Sequence, residues 1–322
     1  MARPLRWGIL GTGGIARKFA AQLPQSARAE LVAVGSRCAA GARSFADDFP
    51  CTAHAGYGCL LADPNVEAVY VSLPNSLHHR WTIRALEAGK HVLCEKPIAA
   101  DAGEAQEMFD TADRMDRVLM EAFMYRHQPA IRKLLQTVHG GAIGEVKLIR
   151  THFTYNRPVD TSDVRYQPDL AGGSLMDVGC YCVNFARAVA QREPTSMYAV
   201  AHLHSTGVDE YSAGTLRFGD GPLCVFTCGM TVDADRTSFI GGSAGWLAVD
   251  TPWFGCEILT IDADGRRRTI EEKAPMEVYA LEADALAATV QDGTRPTISQ
   301  ADTLGNMRVL DELRKAIGLP YG

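Results

Sequence analysis

The chain has 322 residues, more than one ordinary hydrophobic core accommodates, so two domains are expected. Apolar residues make up 47% and charged residues 22%, the composition of a folded globular protein, and no apolar run reaches the 18 or so residues of a spanning helix. Net charge is −6, from 32 basic and 38 acidic residues without a long block of either sign, which argues against a nucleic-acid partner.

Residues 5–10 read as a buried strand broken by Gly11 to Gly14, and a helix follows from Ile15 to about Leu23, stopped by Pro24. No basic segment with an apolar stretch precedes that strand, so a cytoplasmic location without membrane attachment is expected. Glu30 to Val34 is a second strand, and Ala39 to Phe49 a helix stopped by Pro50. Glu67 to Leu73 is a β-branched strand, and a helix over His78 to Ala88 closes at Gly89. His91 to Cys94, a helix over Asp101 to Met115 and a strand over Val118 to Ala122 complete the alternation. Such alternation implies a doubly wound parallel sheet, a Rossmann-type α/β domain over residues 1–123.

From about Gly144 the pattern changes. Val146 to Thr154, Met197 to His204, Ala213 to Phe218, Leu223 to Cys228, Thr237 to Gly241, Trp246 to Asp250 and Glu257 to Ile261 read as strands joined by turns. Helices near 128–138, 177–190 and 278–291 are expected to cover one face of this sheet, with a last helix at 302–317. Residues 124–322 are thus expected to form an α+β domain with a large, mostly antiparallel open sheet. Packing of the last helix back onto the first domain stays open. The uncovered sheet face calls for a partner subunit, a homodimer or homotetramer through this sheet. Arg266-Arg267-Arg268, flanked by acids, reads as a solvated turn. The nine cysteines form no disulfide or zinc framework and read as reduced, mostly core thiols.

Gly11-Thr12-Gly13-Gly14-Ile15-Ala16 is a G-x-G-x-x-A loop between the first strand and first helix. Gly11 permits the tight turn, Gly13 lets the backbone approach a pyrophosphate, and Ala16 lets helix and strand pack closely. Thr12, Gly14 and Ile15 complete the phosphate-facing turn, where the helix presents unpaired N–H groups. At the end of the second strand an NAD site wants a carboxylate. This chain has Gly35-Ser36-Arg37, where Arg37 can pair with a 2′-phosphate and Ser36 can donate to it, so NADP(H) is expected.

Three further segments carry a family resemblance: Leu73-Pro74-Asn75-x-x-His78, Ala88 to Pro97 containing Glu95-Lys96-Pro97, and Gly172-Gly173-Ser174 leading to Asp177 and Tyr181. With the glycine loop, they resemble the Gfo/Idh/MocA oxidoreductases over essentially the whole chain. The resemblance implies that Lys96 lies beside nicotinamide and substrate. Its place after the strand His91 to Cys94, at the carboxyl edge of a doubly wound sheet, points the same way. It further implies cofactor contacts for Leu73, Pro74, Asn75, His78 and Glu95, with Asn75 and His78 under the nicotinamide-side ribose. Arg165 or Tyr166 is expected to reach over the cofactor, and Arg126 and Tyr279 to line the substrate pocket.

Many relatives carry His where this chain has Tyr181. Tyrosine there is similar to the branch of glucose–fructose oxidoreductase, dimeric dihydrodiol dehydrogenase and NADP-dependent aldose (xylose) dehydrogenases. A free phenol, with a pKa of about 10, is a poor base near neutrality, but a neighbouring ammonium lowers that value. Tyr181 is therefore assigned proton exchange with the reacting hydroxyl, Lys96 stabilisation of the same oxygen, and Asp177, one helical turn earlier on the same face, a sugar hydroxyl. No metal is expected, and His127, His152, His202 and His204 read as structural. The expected substrate is a sugar or polyol, first an aldose oxidised at C1. The alternatives are a ketoreductase of a nucleotide-linked deoxysugar, a cyclic polyol or dihydrodiol enzyme, and a non-catalytic NADP-sensing regulator.

Overall fold

A computed structural model describes residues 3–319. The chain divides into two compact units. The first runs to His127 and takes in Met276–Thr303; the second is Gln128–Pro275 with the chain from Leu304 on.

The first unit is built on six parallel strands, β1 (Leu5–Leu10), β2 (Ala29–Ser36), β3 (Thr52–Ala55), β4 (Ala68–Val71), β5 (His91–Glu95) and β6 (Leu119–Ala122), in the order β3-β2-β1-β4-β5-β6. This is the order of the doubly wound dinucleotide-binding fold, and its ligands sit outside the carboxyl ends of the strands. The crossovers are α1 (Gly14–Gln22), α2 (Ala39–Asp48), α3 (Tyr57–Leu61), α4 (His78–Glu87) and α5 (Ala102–Met115). β4 and β6 are buried along their whole length, as strands covered on both faces must be. Asp101 starts α5 by accepting from the Glu104 N–H at 2.8 Å.

The second unit opens with α6 (Pro129–His139) and β7 (Val146–Thr154), followed by α7 (Cys180–Ala190). Then come β8 (Ser196–Leu203), β9 (Asp209–Arg217), β10 (Leu223–Gly229), β11 (Thr237–Gly242), β12 (Gly245–Asp250), β13 (Ile258–Ala263) and β14 (Arg266–Glu271). The sheet order is β14-β13-β12-β11-β7-β10-β9-β8, antiparallel throughout except where β7 lies parallel to β10. In β10 the alternation is plain: Cys224, Phe226 and Cys228 point into the core, Leu223 and Val225 to the outer face.

Two features differ from the sequence reading. The arginine run 266–268 is not a turn but edge strand β14. The turn lies just before it at Asp264-Gly265, both at positive φ, and charged side chains suit an exposed sheet edge. Helix α8 (Val278–Asp292) does not cover the second sheet but belongs to the first unit. There the Tyr279 N–H donates to Gln22 Oε1 at 2.9 Å, and Asp292 pairs with Arg28 at 2.7 Å. The last helix, α9 (Gln300–Ala316), belongs to the second unit from Leu304 on, where Asn306 Nδ2 donates to the Cys180 carbonyl at 3.3 Å. All nine cysteines are free thiols, six of them buried. Among the described residues no helix is long and apolar enough to cross a membrane.

Candidate active site

In the first unit the glycine loop joins β1 to α1. Gly11 sits at φ +109°, and a Cβ there would lie 2.8 Å from the Ser72 carbonyl oxygen, so only glycine fits the turn. Gly13 and Gly14 differ: a Cβ at either position would meet no atom within 4 Å. The backbone is bare toward open space where α1 begins, and Gly13 offers no side-chain cap to that helix end. Ala16, one turn on, is fully buried against the sheet. The cradle therefore has room for a dinucleotide pyrophosphate beside the N–H groups that open α1. At the end of β2, Ser36 is buried and Arg37 exposed. Arg37 lies near enough to Tyr57 for its charge to act on that phenol. Positions 35–38 hold no carboxylate that would repel a 2′-phosphate.

The segments after β4 and β5 form the second part of this edge. Leu73 is buried, Pro74 and Asn75 half-buried, and Lys96 half-buried directly after β5. The Lys96–Pro97 peptide is cis. His78, expected under the ribose, is instead fully buried. Its Nδ1 lies 2.9 Å from the Pro97 carbonyl oxygen and its Nε2 2.8 Å from that of Leu73. Both ring nitrogens are thus taken up by backbone. Burial first, and the nearby Lys96 charge, push its pKa down to about 4.

Glu95 is buried, and its carboxylate accepts from the Tyr70 hydroxyl, whose ring stacks on Phe19 of α1 with centroids 4.0 Å apart. Close by lies Glu282 of α8, with no exposure at all and no hydrogen bond to either oxygen. Burial, then the Glu95 charge, push its acid well above the usual carboxylate range. Tyr279, expected in the substrate pocket, is buried in this same cluster, its phenol pushed up by burial and by Glu95 and Glu282. Arg126, expected there too, is half-buried with its guanidinium on Asp302 at 2.9 Å. The groups that meet these side chains include ones distant in sequence: Asp302 for Arg126 and Glu95 for Tyr279.

In the second unit Tyr181 stands in the first turn of α7 and is almost fully buried. Phe153 and Trp253 meet its ring edge-on, with centroids 5.2 and 5.6 Å away. Those two rings stack on each other, and Trp253 Nε1 donates to the His152 carbonyl at 3.1 Å. The ring of Tyr181 is thereby packed edge-on against two aromatic side chains.

The segment before α7, Leu175–Gly179, is a π turn in which the Cys180 N–H reaches back to the Leu175 carbonyl. This wider turn breaks the α-helical phasing on which an (i, i+4) pairing of Asp177 with Tyr181 depends. Asp177 is oriented instead from other elements: its Oδ2 accepts from Tyr155 Oη at 2.5 Å and from Arg165 Nε at 3.0 Å. Arg165 also pairs with Asp163, at 3.1 Å. Tyr155 is pushed up by burial and by the Asp177 charge, and Arg165 is held more basic by Asp177. Arg165 is therefore bound to two carboxylates of its own unit, and Tyr166, the other candidate to cover a cofactor, is core: it packs on Val208 and Met230.

Gly172-Gly173-Ser174 owes its composition to close packing. A Cβ on Gly172 would lie 2.4 Å from the Arg165 carbonyl oxygen. At Gly173, φ +107°, it would lie 2.1 Å from Asp209 Oδ1. Buried Asp209 then accepts at Oδ2 from Ser174 Oγ and the Leu175 N–H, both at 2.7 Å, and from Ser212 Oγ at 3.0 Å. Asp209, Tyr155, Phe153, Trp253 and Glu282 escaped the sequence reading. Only the aromatic pair Phe153 and Tyr155, at the end of an expected strand, left a signal there.

Residues 5–123 match the model described as an oxidoreductase family with NAD-binding Rossmann fold, GFO_IDH_MocA. Residues 131–248 match that of the GFO/IDH/MocA C-terminal domain. The chain is 35% identical over 316 residues to a D-xylose 1-dehydrogenase (NADP(+)) of Haloferax volcanii, covering 96% of both. Among solved structures, the 3-ketoreductase KijD10 of Actinomadura kijaniata, in complex with NADP and TDP-benzene, has a TM-score of 0.89 at 30% identity over 98% of both chains. The aldose–aldose oxidoreductase of Caulobacter crescentus, complexed with glycerol, reaches 0.91 at 26% identity over 98% of this chain and 97% of that one. With a glycine cradle at β1, a lysine after β5 and a tyrosine opening α7, and with both family models matched in order, the chain belongs to the Gfo/Idh/MocA oxidoreductases.

Proposed function

We propose that the chain is an NADP(H)-dependent dehydrogenase that oxidises an aldose at C1. The observation that carries the reading is the near full-length similarity to an NADP-dependent D-xylose 1-dehydrogenase, in a chain that keeps the lysine–tyrosine pair. Arg37 without a competing carboxylate supports NADP over NAD. Residues 13–16 hold the pyrophosphate, Ser36 and Arg37 the 2′-phosphate, and Leu73, Pro74 and Asn75 flank the cofactor. The bound nicotinamide supplies the electron-pair acceptor for the hydrogen on the sugar carbon.

The protein's own work is to move a proton and to hold charge. Tyr181 takes the hydroxyl proton as the C–H bond breaks. Lys96 stabilises the negative charge that grows on that oxygen. Asp177 holds a further sugar hydroxyl.

A second reading, reduction of a nucleotide-linked ketosugar, draws on the likeness to the TDP-benzene-bound ketoreductase. Absorbance of NADPH decides between them. NADP+ with a panel of D-xylose, D-glucose and other aldoses should yield NADPH with at least one member. Turnover only with NADPH and a dTDP-ketosugar would transfer the assignment, and tight cofactor binding without turnover of either would make the chain a regulator.

The reading includes a second copy of the chain on the outer sheet face of the second unit. Tyr198 and Val200 of β8 are 70% and 72% exposed, and Tyr211, Leu223, Val225 and Leu148 extend the apolar surface. Val200→Asp should shift the mass seen by light scattering to that of a monomer. An unchanged mass sinks this surface as the interface.

A further inference from the structure

We infer that His78 is a positioning residue, which sets the place of Lys96 by holding the turn that follows it. This rests on the reading of Lys96 as the group that stabilises the reacting oxygen.

Four observations lead there. The imidazole is fully buried, so nothing but protein meets it. It bridges two chain segments that end neighbouring strands: Nδ1 faces the Pro97 carbonyl oxygen at 2.9 Å and Nε2 that of Leu73 at 2.8 Å. The turn it grips has a second anchor, the Ile98 N–H, which donates to Glu121 Oε1 of β6 at 3.0 Å. Finally, the Lys96 ammonium lies near enough for its charge to act on the ring.

The chemistry of the ring makes the two contacts unequal. A neutral imidazole carries one N–H, and here it faces two acceptors, so one nitrogen alone donates in either tautomer. Buried carbonyls are costly to leave unpaired. The Leu73 carbonyl lies at the mouth of a strand that is paired on both sides. The Pro97 carbonyl lies in a turn, adjacent to the residue whose ammonium must be placed to within a fraction of an ångström. The Nδ1–H tautomer, donating to Pro97, is the one that serves catalysis.

Amide isosteres separate the two contacts. The shorter amide of His78→Asn would place its N–H near the position of Nδ1, and the longer one of His78→Gln near that of Nε2. H78N thus keeps the tie to Pro97, while H78Q keeps only that to Leu73. With NADP+ and the aldose that performs best in the panel, H78Q should lower kcat about tenfold or more, with KM for NADP+ within about threefold. H78N should recover most of that loss. NADPH affinity by fluorescence and melting temperature are measured on both, to separate placement from folding.

Wild-type kcat in H78Q, recovery by neither isostere, recovery by H78Q rather than H78N, or a kcat loss that merely follows a fall in melting temperature or NADPH affinity would each overturn the inference. Lys96→Met run in parallel locates the failure. If it abolishes turnover while H78Q is normal, only the clamp is wrong. If it keeps turnover, the reading of Lys96 falls first and takes the clamp with it.

Discussion

The glycine loop after β1 and the Gly172-Gly173-Ser174 segment before α7 look alike in sequence but use their glycines in opposite ways. A Cβ on Gly13 would meet open space, whereas one on Gly173 would lie 2.1 Å from a buried carboxylate. The first loop keeps room for something that is not protein. The second keeps room for Asp209, which caps the turn that carries Asp177. A glycine-rich motif therefore marks ligand approach only where the missing Cβ faces outward.

The largest effect tests what the second segment supports. Tyr181→Phe keeps the ring against Phe153 and Trp253 and removes only the hydroxyl. It should lower kcat by a factor of about 10²–10⁴, the ordinary contribution of a placed acid–base group, with NADPH affinity unchanged. Near-normal turnover in a steady-state assay would remove Tyr181 from the mechanism. Second, Gly173→Ala should cost about 3 kcal/mol or more in urea unfolding, from the clash and from a non-glycine residue held at φ +107°. A stability change under about 1 kcal/mol would mean that the Asp209 contact yields easily.

How much of this was legible beforehand follows the same division. In the first unit, the candidate residues are local: the glycine turn and the segments after β4 and β5 each directly follow a strand, so position along the chain implies position at the sheet edge. In the second, Asp177 is held by Tyr155 and Arg165, and Tyr181 by Phe153 and Trp253, contacts that reach far along the chain. No periodicity reports such pairings. Strand β7 was readable to the residue because it is rich in β-branched and aromatic residues, yet β14 was hidden by three arginines on an exposed edge. Charge was the misleading signal elsewhere as well. Arg126 is matched by Asp302, and Arg165 by Asp163 and Asp177, so side chains that looked available for a ligand have protein partners. His78 misled by chemistry: as a motif histidine it invited a ligand, and its environment answers with two carbonyls.

That environment has a pH signature. The folded pKa of His78 is pushed down to about 4, from about 6.5 in the unfolded chain. The unfolded state therefore binds more protons between these values, and the stability tied to the neutral ring is present above pH 6.5 and lost as pH falls toward 4. The full loss is about 3 kcal/mol at 1.36 kcal/mol per pKa unit. Unfolding free energy measured at intervals from about pH 7 to 4 should fall more steeply in the wild type than in His78→Asn, which lacks the titrating group. Parallel curves would show that the ring does not resist protonation. Glu282 pulls the other way, since a folded pKa raised above the unfolded one lowers stability as pH rises. Glu282→Gln should flatten the alkaline side of the same curve.

The smallest effect on the fold is also the sharpest test of the contrast between the two glycine segments. Gly13→Ala adds a methyl group that meets no protein atom, at a residue whose φ of −72° any amino acid adopts. Stability should stay within about 0.5 kcal/mol of the wild type, the range of a substitution that touches nothing. The methyl does enter the space where a pyrophosphate would approach the start of α1, so NADPH should bind about tenfold more weakly by fluorescence titration, a loss of about 1.4 kcal/mol. Unchanged affinity would place the phosphates elsewhere along the edge of the sheet. Lost stability with unchanged affinity would reverse the roles of the two glycines, and the outward-facing cradle at β1 would then be a structural turn like its counterpart before α7.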